Sequence, residues 1–372
     1  MKATINKKDI LPVLAKIQGL AGRKTSLAIT TNLLIQTGES GISISATDLE
    51  TGFEGFYPAD IETQGVITIN ARKLYEIVRD FPSEDIYVNE IENHWIEIGN
   101  QTVEYHIVGL NPEDFPEIPK IEEVDFFDID SASFAKMIEK TVIISGAPDD
   151  TRAHVIGVYA ERIQQDDQKI FRLVATDGSR LSKADYSFDK DFDLPSGSNV
   201  LIPKKGLIEV AKFLDPEGSV KLGIKDNNFI VKREKETLII RLLEGDFPKY
   251  GDIVVKTDGH NIQMDRQLFL MMLKRMSILS SDEYKGVIFH FNKDKLLINS
   301  TNPDIGESKE DMDITYEGDS IEVMYNPKFF IDTLGVIHED NVVLNIMDEE
   351  KPCKIEGEKN KTYLSVIMPM RI

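Results

Sequence analysis

A short polar motif occurs three times along the chain at nearly constant intervals. Its copies lie at residues 46–51, 175–181 and 300–304, and the threonines at their centres are 129 and 125 residues apart. An interval of this length corresponds to a whole domain and is too long for one turn of a solenoid. The sequence therefore predicts three copies of one domain.

Other landmarks recur in the same order within each copy. A basic-then-apolar opening typical of a helix stands at 72–74, 204–207 and 328–330. Later, a strand-like run begins at Thr102, Thr237 and Thr362, and the first two runs lead to Asp-Phe-Pro. A chain of 372 residues has room for three domains of ordinary size. We predict domains at 1–126, 127–257 and 258–372.

The periodicity of apolar residues predicts the elements inside each domain. Amphipathic helices are predicted with Asn6 and Asp265 as caps and with Pro12 as an irregularity. The six predicted helices are 5–18, 70–79, 131–145, 204–213, 266–277 and 326–337. In the first repeat, alternating strands are predicted at 33–35, 42–44, 66–69, 86–88 and 95–98. Two helices and several antiparallel strands per repeat define an α+β fold class.

Composition excludes several classes of protein. No run of apolar residues approaches the roughly 18 to 20 that a membrane helix needs, and the N-terminus is not typical of a signal peptide. The single cysteine, Cys353, cannot form an internal disulfide, which suits a reducing compartment. We expect a cytoplasmic protein that does not contact membranes.

The charges are distributed unevenly along the chain. The formal net charge is −21, yet the six predicted helical stretches together carry +10, so the remainder carries −31. If these helices share one face, that face is basic and could contact nucleic acid phosphates. The alternative is that the helices carry lysines on ordinary solvated surfaces.

Asp48, Glu50 and Asp177 are the acidic residues that repeat with the motif. Acidic clusters can bind metals or act as acid and base, and a metal-dependent hydrolase is one hypothesis. The favoured interpretation is that each Asp accepts hydrogen bonds from its own turn, since the third copy has Asn302 instead. The six histidines lack metal-ligand spacing and no phosphate-binding loop is present. We expect no catalytic activity, no cofactor and no metal.

Two methionines, Met368 and Met370, flank a proline near the end of the chain. Methionines form adaptable apolar surfaces that suit varied partners, although alternation along a strand would also bury them in a core. The threefold repeat, the 175–181 motif, Glu-Gly-Asp-Phe-Pro at 244–248 and the ending at 368–372 together resemble the beta sliding clamp family of the bacterial replicative DNA polymerase III. The resemblance spans residues 2–372.

The resemblance implies a head-to-tail homodimeric ring of six domains that encircles duplex DNA without sequence preference. The implied partners are DNA, a second copy of the chain, the polymerase catalytic subunit, the clamp loader and other proteins with a clamp-binding peptide. The positions that match basic residues near the hole are Arg23, Lys24, Arg72, Arg152, Lys204 and Lys205.

The family also has an apolar pocket that receives a short extended peptide carrying glutamine, leucine and phenylalanine. The matching positions are Val155, Thr176, Gly178, Ser179, Arg180, Leu181, Pro248, Ile253, Asn326, Phe329, Val366, Met368, Pro369 and Met370. The resemblance thereby favours a binding surface over a core position for the two methionines. Asp252, Pro352 and Phe329 depart from the family pattern and leave the preferred peptide open.

The dimer interface implied by the resemblance pairs edge strands of the first and third domains. Tyr105 and Ile107, on one face of the strand at 103–108, match one side, and Ile278 and Leu279 match the other. Closing a ring in this way removes exposed sheet edges. The alternative function is a peptide-binding scaffold of the same fold that never encircles DNA, which the net acidity favours.

Overall fold

The computed structural model describes residues 1–22, 26–144, 146, 150–165, 168–188, 199–255, 259–280 and 285–371. These residues form two compact units. The first unit comprises 1–132 and 205–242, and the second comprises 133–188, 199–204 and 243–371. Within the described ranges, none of the helices combines the length and apolar character that crossing a bilayer requires.

The helices in the described part of the chain are α1 Lys7–Ala21, α2 Ala71–Asp80, α3 Ser131–Val142, α4 Ala153–Ile156, α5 Lys204–Phe213, α6 Gly251–Val254, α7 Arg266–Met276 and α8 Pro327–Gly335. Single turns of 3-10 helix lie at Ala28–Thr31, Pro112–Asp114 and Ser277–Leu279. All six predicted helices are confirmed, with their ends displaced by at most three residues. The two short helices α4 and α6 were not predicted.

Strands β1 to β12 are Lys2–Asn6, Asn32–Thr37, Gly41–Thr47, Thr51–Thr63, Val66–Asn70, Asp85–Glu90, Trp95–Gly99, Glu104–Val108, Phe127–Asp130, Gly157–Gln165, Gln168–Thr176 and Arg180–Phe188. Strands β13 to β24 are Val200–Pro203, Ser219–Lys225, Asn228–Arg233, Glu236–Arg241, His260–Asp265, Val287–Asn292, Lys295–Asn302, Gly306–Asp313, Ile321–Tyr325, Asn341–Ile346, Cys353–Gly357 and Tyr363–Ile367. Every pairing between these strands is antiparallel. The α+β prediction is confirmed.

Polar side chains fix where the helices begin. The Asn6 side chain accepts a hydrogen bond from the Lys8 amide, and the Asp265 side chain accepts one from the Leu268 amide. Both predicted caps are confirmed. Helix α1 starts two residues later than predicted because residues 2–6 pair as a strand. Pro12 lies inside this helix, beyond its first turn.

The first unit contains a twelve-stranded sheet whose main path runs β8-β7-β6-β1-β4-β16-β15-β14-β9, with β2, β3 and β5 branching from β4. Strand β4 is the longest, and it pairs with β3 and β16 along its first half and with β1 along its second. Sequence reasoning missed it. Strand β16 comes from the predicted second domain, so the sheet joins two repeats through backbone hydrogen bonds.

The second unit contains an eight-stranded sheet, ordered β13-β10-β11-β12-β24-β23-β22-β17, and a four-stranded sheet, ordered β20-β19-β18-β21. Strands β12 and β24 pair with each other, from Arg180 opposite Ile367 to Ala184 opposite Tyr363. This pairing joins the second repeat to the third. An aromatic cluster packs α7 and α8 on the four-stranded sheet. Phe269 and Phe330 both contact Phe289, with ring centroids 6.2 Å and 5.2 Å from it.

Candidate functional site

The repeated motif forms the same hydrogen-bonded turn in the first two copies. Thr47 Oγ1 accepts from the Leu49 amide at 3.0 Å, and Thr176 Oγ1 accepts from the Gly178 amide at 3.1 Å. Asp48 Oδ1 accepts from two amides at 3.1 and 2.8 Å, and Asp177 Oδ1 accepts from two at 3.0 Å each. The prediction that these carboxylates shape turns is confirmed.

The third copy keeps part of this arrangement. Asn302 Oδ1 accepts from the Asp304 amide at 3.1 Å, as the aspartates do in the other copies. Its Nδ2 donates to the carbonyl of Leu279 at 2.9 Å. Among the described residues, no group of His, Cys, Asp and Glu has a geometry that could hold a metal ion.

The two aspartate turns place different residues at the same left-handed backbone position. Leu49 has φ of 76° and the equivalent Gly178 has φ of 91°. This left-handed region is open to glycine and costly for leucine. The second turn therefore has the residue that its geometry favours, whereas the first turn carries strain.

Arg180 begins β12 directly after the second turn and is 3% exposed. Its guanidinium contacts Asp177 Oδ2 at 3.0 Å and Asp332 Oδ2 at 2.8 Å, and it donates to the Ile143 carbonyl at 3.2 Å. The Phe329 ring lies against the same group, with 4.4 Å from Cζ to the ring centroid. A buried arginine with these partners fixes helix α8 to the turn.

The segment after β24 is held on both sides by backbone hydrogen bonds. The Met368 amide donates to the Ser179 carbonyl at 2.9 Å, and the Met370 amide donates to the Met324 carbonyl at 2.8 Å. Met368 is 40% exposed and Met370 is 36% exposed. A wholly buried core position for these methionines is therefore wrong, because the strand ends at Ile367 and the side chains after it face a cavity.

This cavity of about 1070 Å³ lies beside the second turn, helix α8 and the C-terminal segment. It contains eight of the fourteen predicted peptide-contacting positions: Gly178, Ser179, Arg180, Asn326, Phe329, Met368, Pro369 and Met370. Sequence reasoning did not include the rest of its lining, namely Gly146, Asp150, Arg152, Asp177, Ser277, Ser280, Lys285, Pro327, Lys328 and Ile331. Lys328 and Ile331 lie in the first turns of α8, next to the predicted positions Asn326 and Phe329. This proximity is the signal that could have identified these two residues.

The other six predicted positions do not line this cavity. Val155, Thr176, Leu181 and Val366 are buried, whereas Pro248 and Ile253 are exposed. Leu181 and Val366 belong to an apolar cluster with Val174 and Tyr250. In this structure the cluster is closed, with Phe247 and Val254 packed against it.

The predicted DNA-contacting positions differ in their surroundings. Arg72 and Lys205 are exposed, and Arg72 pairs with Glu76 at 3.1 Å. Arg152 is also exposed but its guanidinium is held by Asp150 at 2.7 Å, and this hydrogen bonding lowers the pKa of Asp150 to about 2. Arg23 and Lys24 lie outside the described residues.

Lys204 differs from the exposed cation that a direct phosphate contact requires. It is 9% exposed, and its ammonium donates to the carbonyl of Val155. Burial lowers its pKa to about 8. The side chain begins helix α5 and points into the protein, so its geometry favours a structural contact.

The predicted interface positions lie on two different kinds of element. Tyr105 and Ile107 are on β8, the edge strand of the first sheet, opposite Ile98 and Ile96. Ile278 and Leu279 do not lie on a strand. They form the 3-10 turn after α7, in which the Ser277 carbonyl accepts from the Ser280 amide, whereas the edge strands of the four-stranded sheet are β20 and β21. Ile278 is 74% exposed.

Three family profiles match consecutive parts of the chain. They are described as the N-terminal, central and C-terminal domains of the DNA polymerase III beta subunit, and they match residues 1–119, 128–249 and 254–371. The chain belongs to the DNA polymerase III beta subunit family. The resemblance inferred from the repeats is thereby confirmed.

Full-length relatives of this family are named beta sliding clamps. The protein from Vibrio cholerae is 28% identical over 374 residues, and that from Escherichia coli K12 is 27% identical, with the whole of each chain covered in both comparisons. The crystal structure of the Pseudomonas aeruginosa DNA polymerase III beta subunit matches with a TM-score of 0.91 and 26% identity over the whole of both chains. The chain thus has the fold of a DNA sliding clamp.

Proposed function

We propose that this protein is a processivity factor that encircles duplex DNA and tethers the replicative polymerase to its template. Two copies would close head to tail into a ring of six domains, with the domains at 1–126, 127–257 and 258–372. Membership of the beta subunit family along the whole chain is the observation that carries this proposal. The site of action would be the bacterial cytoplasm.

Under this proposal the protein does no chemistry of its own. A closed ring links polymerase and template topologically, so retention needs only weak and sequence-independent contacts with phosphates. The segregation of +10 on the helical stretches from −31 elsewhere supports a basic inner surface. Arg72 and Lys205 are exposed and suit phosphate contact, whereas the buried Lys204 suits it least. Arg23, Lys24 and Arg152 complete the proposed set.

The cavity beside the second turn is the proposed site for partner peptides of the polymerase, the clamp loader and other proteins. It combines exposed methionines, a phenylalanine and a fixed turn with backbone groups at the surface. Methionine side chains adapt to different apolar anchors, which suits one site with several partners. Leu181 and Val366 would join this site only if Phe247 and Val254 moved away from their cluster.

Retention on DNA tests the ring. The protein would be loaded by a cognate loader on a nicked circular plasmid and on the same plasmid linearised. We expect retention on the circle and rapid loss from the linear ends. Equal retention on both forms would indicate surface binding, and failure on both with an active loader would favour the peptide-binding scaffold.

Charge reversal tests the basic surface in the same assay. The double variant Arg72→Glu and Lys205→Glu should shorten the lifetime on the circle, since both side chains are exposed and predicted to face DNA. The matched control is Lys232→Glu with Lys295→Glu, which makes the same change of charge on strands β15 and β19. Equal loss in both variants would contradict a localised DNA-contacting surface.

Peptide binding is tested with a matched pair of methionines. Met368 and Met347 are both 40% exposed, but only Met368 lines the cavity. Met368→Ala should weaken a labelled peptide carrying glutamine, leucine and phenylalanine by about tenfold, which corresponds to loss of one apolar anchor. Met347→Ala should leave its affinity unchanged in fluorescence polarisation. Equal affinity of the two variants would exclude this cavity as the site.

A further inference from the structure

A second cavity, of about 320 Å³, lies on the eight-stranded sheet of the second unit and is rich in cations. Its lining is Arg172, Lys183, Val254, Val255, Asn261, Val343, Asn345, Lys354, Glu356, Lys361 and Leu364. Strand register explains this composition. Lys354 is opposite Asn345 and Val366, and Lys183 is opposite Leu364, so these side chains share one face of the sheet. None of these residues lines the cavity proposed for partner peptides.

Two of the cations share one carboxylate. Arg172 makes a bidentate pair with Asp185 at 2.6 and 2.9 Å, and Lys183 contacts the same carboxylate at 2.6 Å. The side chains of Arg172 and Lys183 are only 12% and 11% exposed. Arg172 also donates to the Tyr250 hydroxyl, which donates to Glu161, the residue opposite Arg172 on β10. The single carboxylate of Asp185 therefore compensates two cations at the cavity wall.

The other two cations are Lys354 and Lys361. Lys354 is on β23, which is separated by β24 from the strand that carries Lys183. Lys354 is 4% exposed and its ammonium donates to the carbonyl of Val255. Burial lowers the pKa of this lysine, as expected for a cation taken out of water. Lys361 is exposed and pairs with Glu356 at 2.8 Å. With Asp185, Glu356 and Glu161, the residue opposite Arg172, as the neighbouring carboxylates, the four cations leave a formal excess of one positive charge.

Apolar side chains complete the cavity. Val254, Val343 and Leu364 are partly buried, and Val255 is 60% exposed. A small cavity with an apolar floor and a few convergent polar groups is typical of a ligand site. The excess of positive charge is unusual in a chain with a formal net charge of −21.

We propose that this cavity binds an acidic peptide segment of a partner protein, with a carboxylate between the cations and a neighbouring apolar side chain on Val254 and Leu364. Charge complementarity carries this assignment, because a carboxylate balances the excess and forms charge-assisted hydrogen bonds with lysine and arginine. The cavity, at about 320 Å³, is too small for a duplex. The proposal does not depend on DNA encirclement.

The location relates this cavity to the apolar cluster of Leu181 and Val366. Lys183 follows Leu181 by two residues on β12, a separation of about 7 Å along a strand. Val254 and Leu364 belong to the cavity lining and also pack on the cluster. A partner that contacts both surfaces would carry its acidic residue a few positions from an apolar anchor.

The test uses two synthetic probes and the full chain. The acidic probe is acetyl-Glu-Leu-Glu-Leu-amide and the neutral probe is acetyl-Gln-Leu-Gln-Leu-amide. We expect the acidic probe to bind with a Kd below about 1 mM at low salt and the neutral probe to bind at least tenfold more weakly in NMR titrations. The affinity of the acidic probe should fall as NaCl is raised from about 50 to 500 mM.

Lys361→Gln separates ligand binding from a structural role of the cations. Lys361 is exposed and does not contact the 246–255 segment through any of its hydrogen bonds, so the variant should keep the unfolding midpoint of the parent protein. It should weaken the acidic probe about fivefold. Lys295→Gln is the matched control, since Lys295 is an exposed lysine paired with Asp311 at 2.7 Å on the other sheet.

Four results would overturn the proposal: equal binding of both probes, no binding of either at 5 mM, equal loss in Lys361→Gln and Lys295→Gln, or preferential displacement of the acidic probe by inorganic phosphate or a single-stranded oligonucleotide. Met368→Ala distinguishes this site from the proposed partner-peptide site. That variant should bind the acidic probe as the parent protein does, even if the other peptide fails to bind any form of the chain.

Discussion

The guanidinium of Arg180 lies 4.4 Å from the centroid of the Phe329 ring and is held there by two carboxylates. We predict that Arg180→Met lowers the free energy of unfolding by about 3 kcal/mol or more, because Asp177 and Asp332 lose the charge that compensates them. Urea unfolding measures this change. Arg79→Met removes an exposed pair with Asp80 and should cost much less stability than Arg180→Met. Equal costs would mean that burial of the Arg180 pair is energetically unimportant.

We predict that substitutions at the equivalent positions of the two aspartate turns affect stability differently. Gly178→Ala should destabilise the protein by about 1 kcal/mol, because φ of 91° is unfavourable for alanine although space around its Cβ is open. Leu49→Gly should be neutral or stabilising, since Leu49 has φ of 76° and is 44% exposed.

Gly251→Ala is the control for Gly178→Ala. Its Cβ would also meet open space, but the residue begins helix α6 and does not have a positive φ. We expect no loss of stability there in thermal unfolding. A destabilisation equal to that of Gly178→Ala would show that backbone conformation is not the cause.

Lys204 predicts a pH dependence of stability. Below pH 8 this lysine is protonated in the folded and unfolded chain, so the cost of burying its charge is fully present. Between pH 8 and the ordinary value of 10.5, the unfolded chain binds the proton and the folded chain does not, so the free energy of unfolding rises with pH.

The difference in the free energy of unfolding between the parent protein and Lys204→Met separates this contribution from that of the other groups that titrate. It should increase in favour of the parent by up to about 3 kcal/mol between pH 7.5 and pH 10.5. Urea unfolding of both proteins at the two pH values measures it. Parallel pH profiles would mean that the lysine remains protonated in the folded chain.

We predict that substitution of the exposed Ile278 weakens self-association. Its side chain is 74% exposed, so Ile278→Asp should leave the fold of one copy intact. If the 3-10 turn after α7 contributes to the proposed dimer, this variant should sediment as a monomer at concentrations where the parent is a dimer. Met347→Asp, at a residue that directly follows β22 and is 40% exposed, should remain dimeric. A dimeric Ile278→Asp protein would place the interface elsewhere.

Elements with local signals were predictable from the sequence. Helices were identified because Asn6 and Asp265 cap them and their apolar residues repeat with helical spacing. The turns were identified because aspartate next to a small or polar residue accepts local hydrogen bonds. Strand β4 was missed because Gly52, Gly55 and Pro58 within it resemble loop residues. In the structure, Pro58 lies where β4 leaves β16 and begins to pair with β1.

Nonlocal contacts account for what could not be predicted. The burial of Lys204 depends on a carbonyl 49 positions away, and Arg180 meets Asp332 over 152 positions. Neither relationship leaves a pattern in the neighbouring sequence. Resemblance to a family supplied Arg180 and Phe329 as peptide-pocket positions, but it supplied no reason for their geometry. Ile278 and Leu279 likewise came from the resemblance, which gave no reason for their position on a 3-10 turn.

The pairing of β16 with β4 and of β12 with β24 means that chain continuity and structural continuity do not coincide. A break in the chain between residues 117 and 126 would not remove the pairing of β16 with β4. Its five residue pairs run from Glu236 opposite Gly55 to Ile240 opposite Thr51. Two separately produced fragments divided there should therefore reassemble without a linker. The connector between the first two repeats would then add the packing of Ile118 and a higher local concentration to two repeats that already pair with each other.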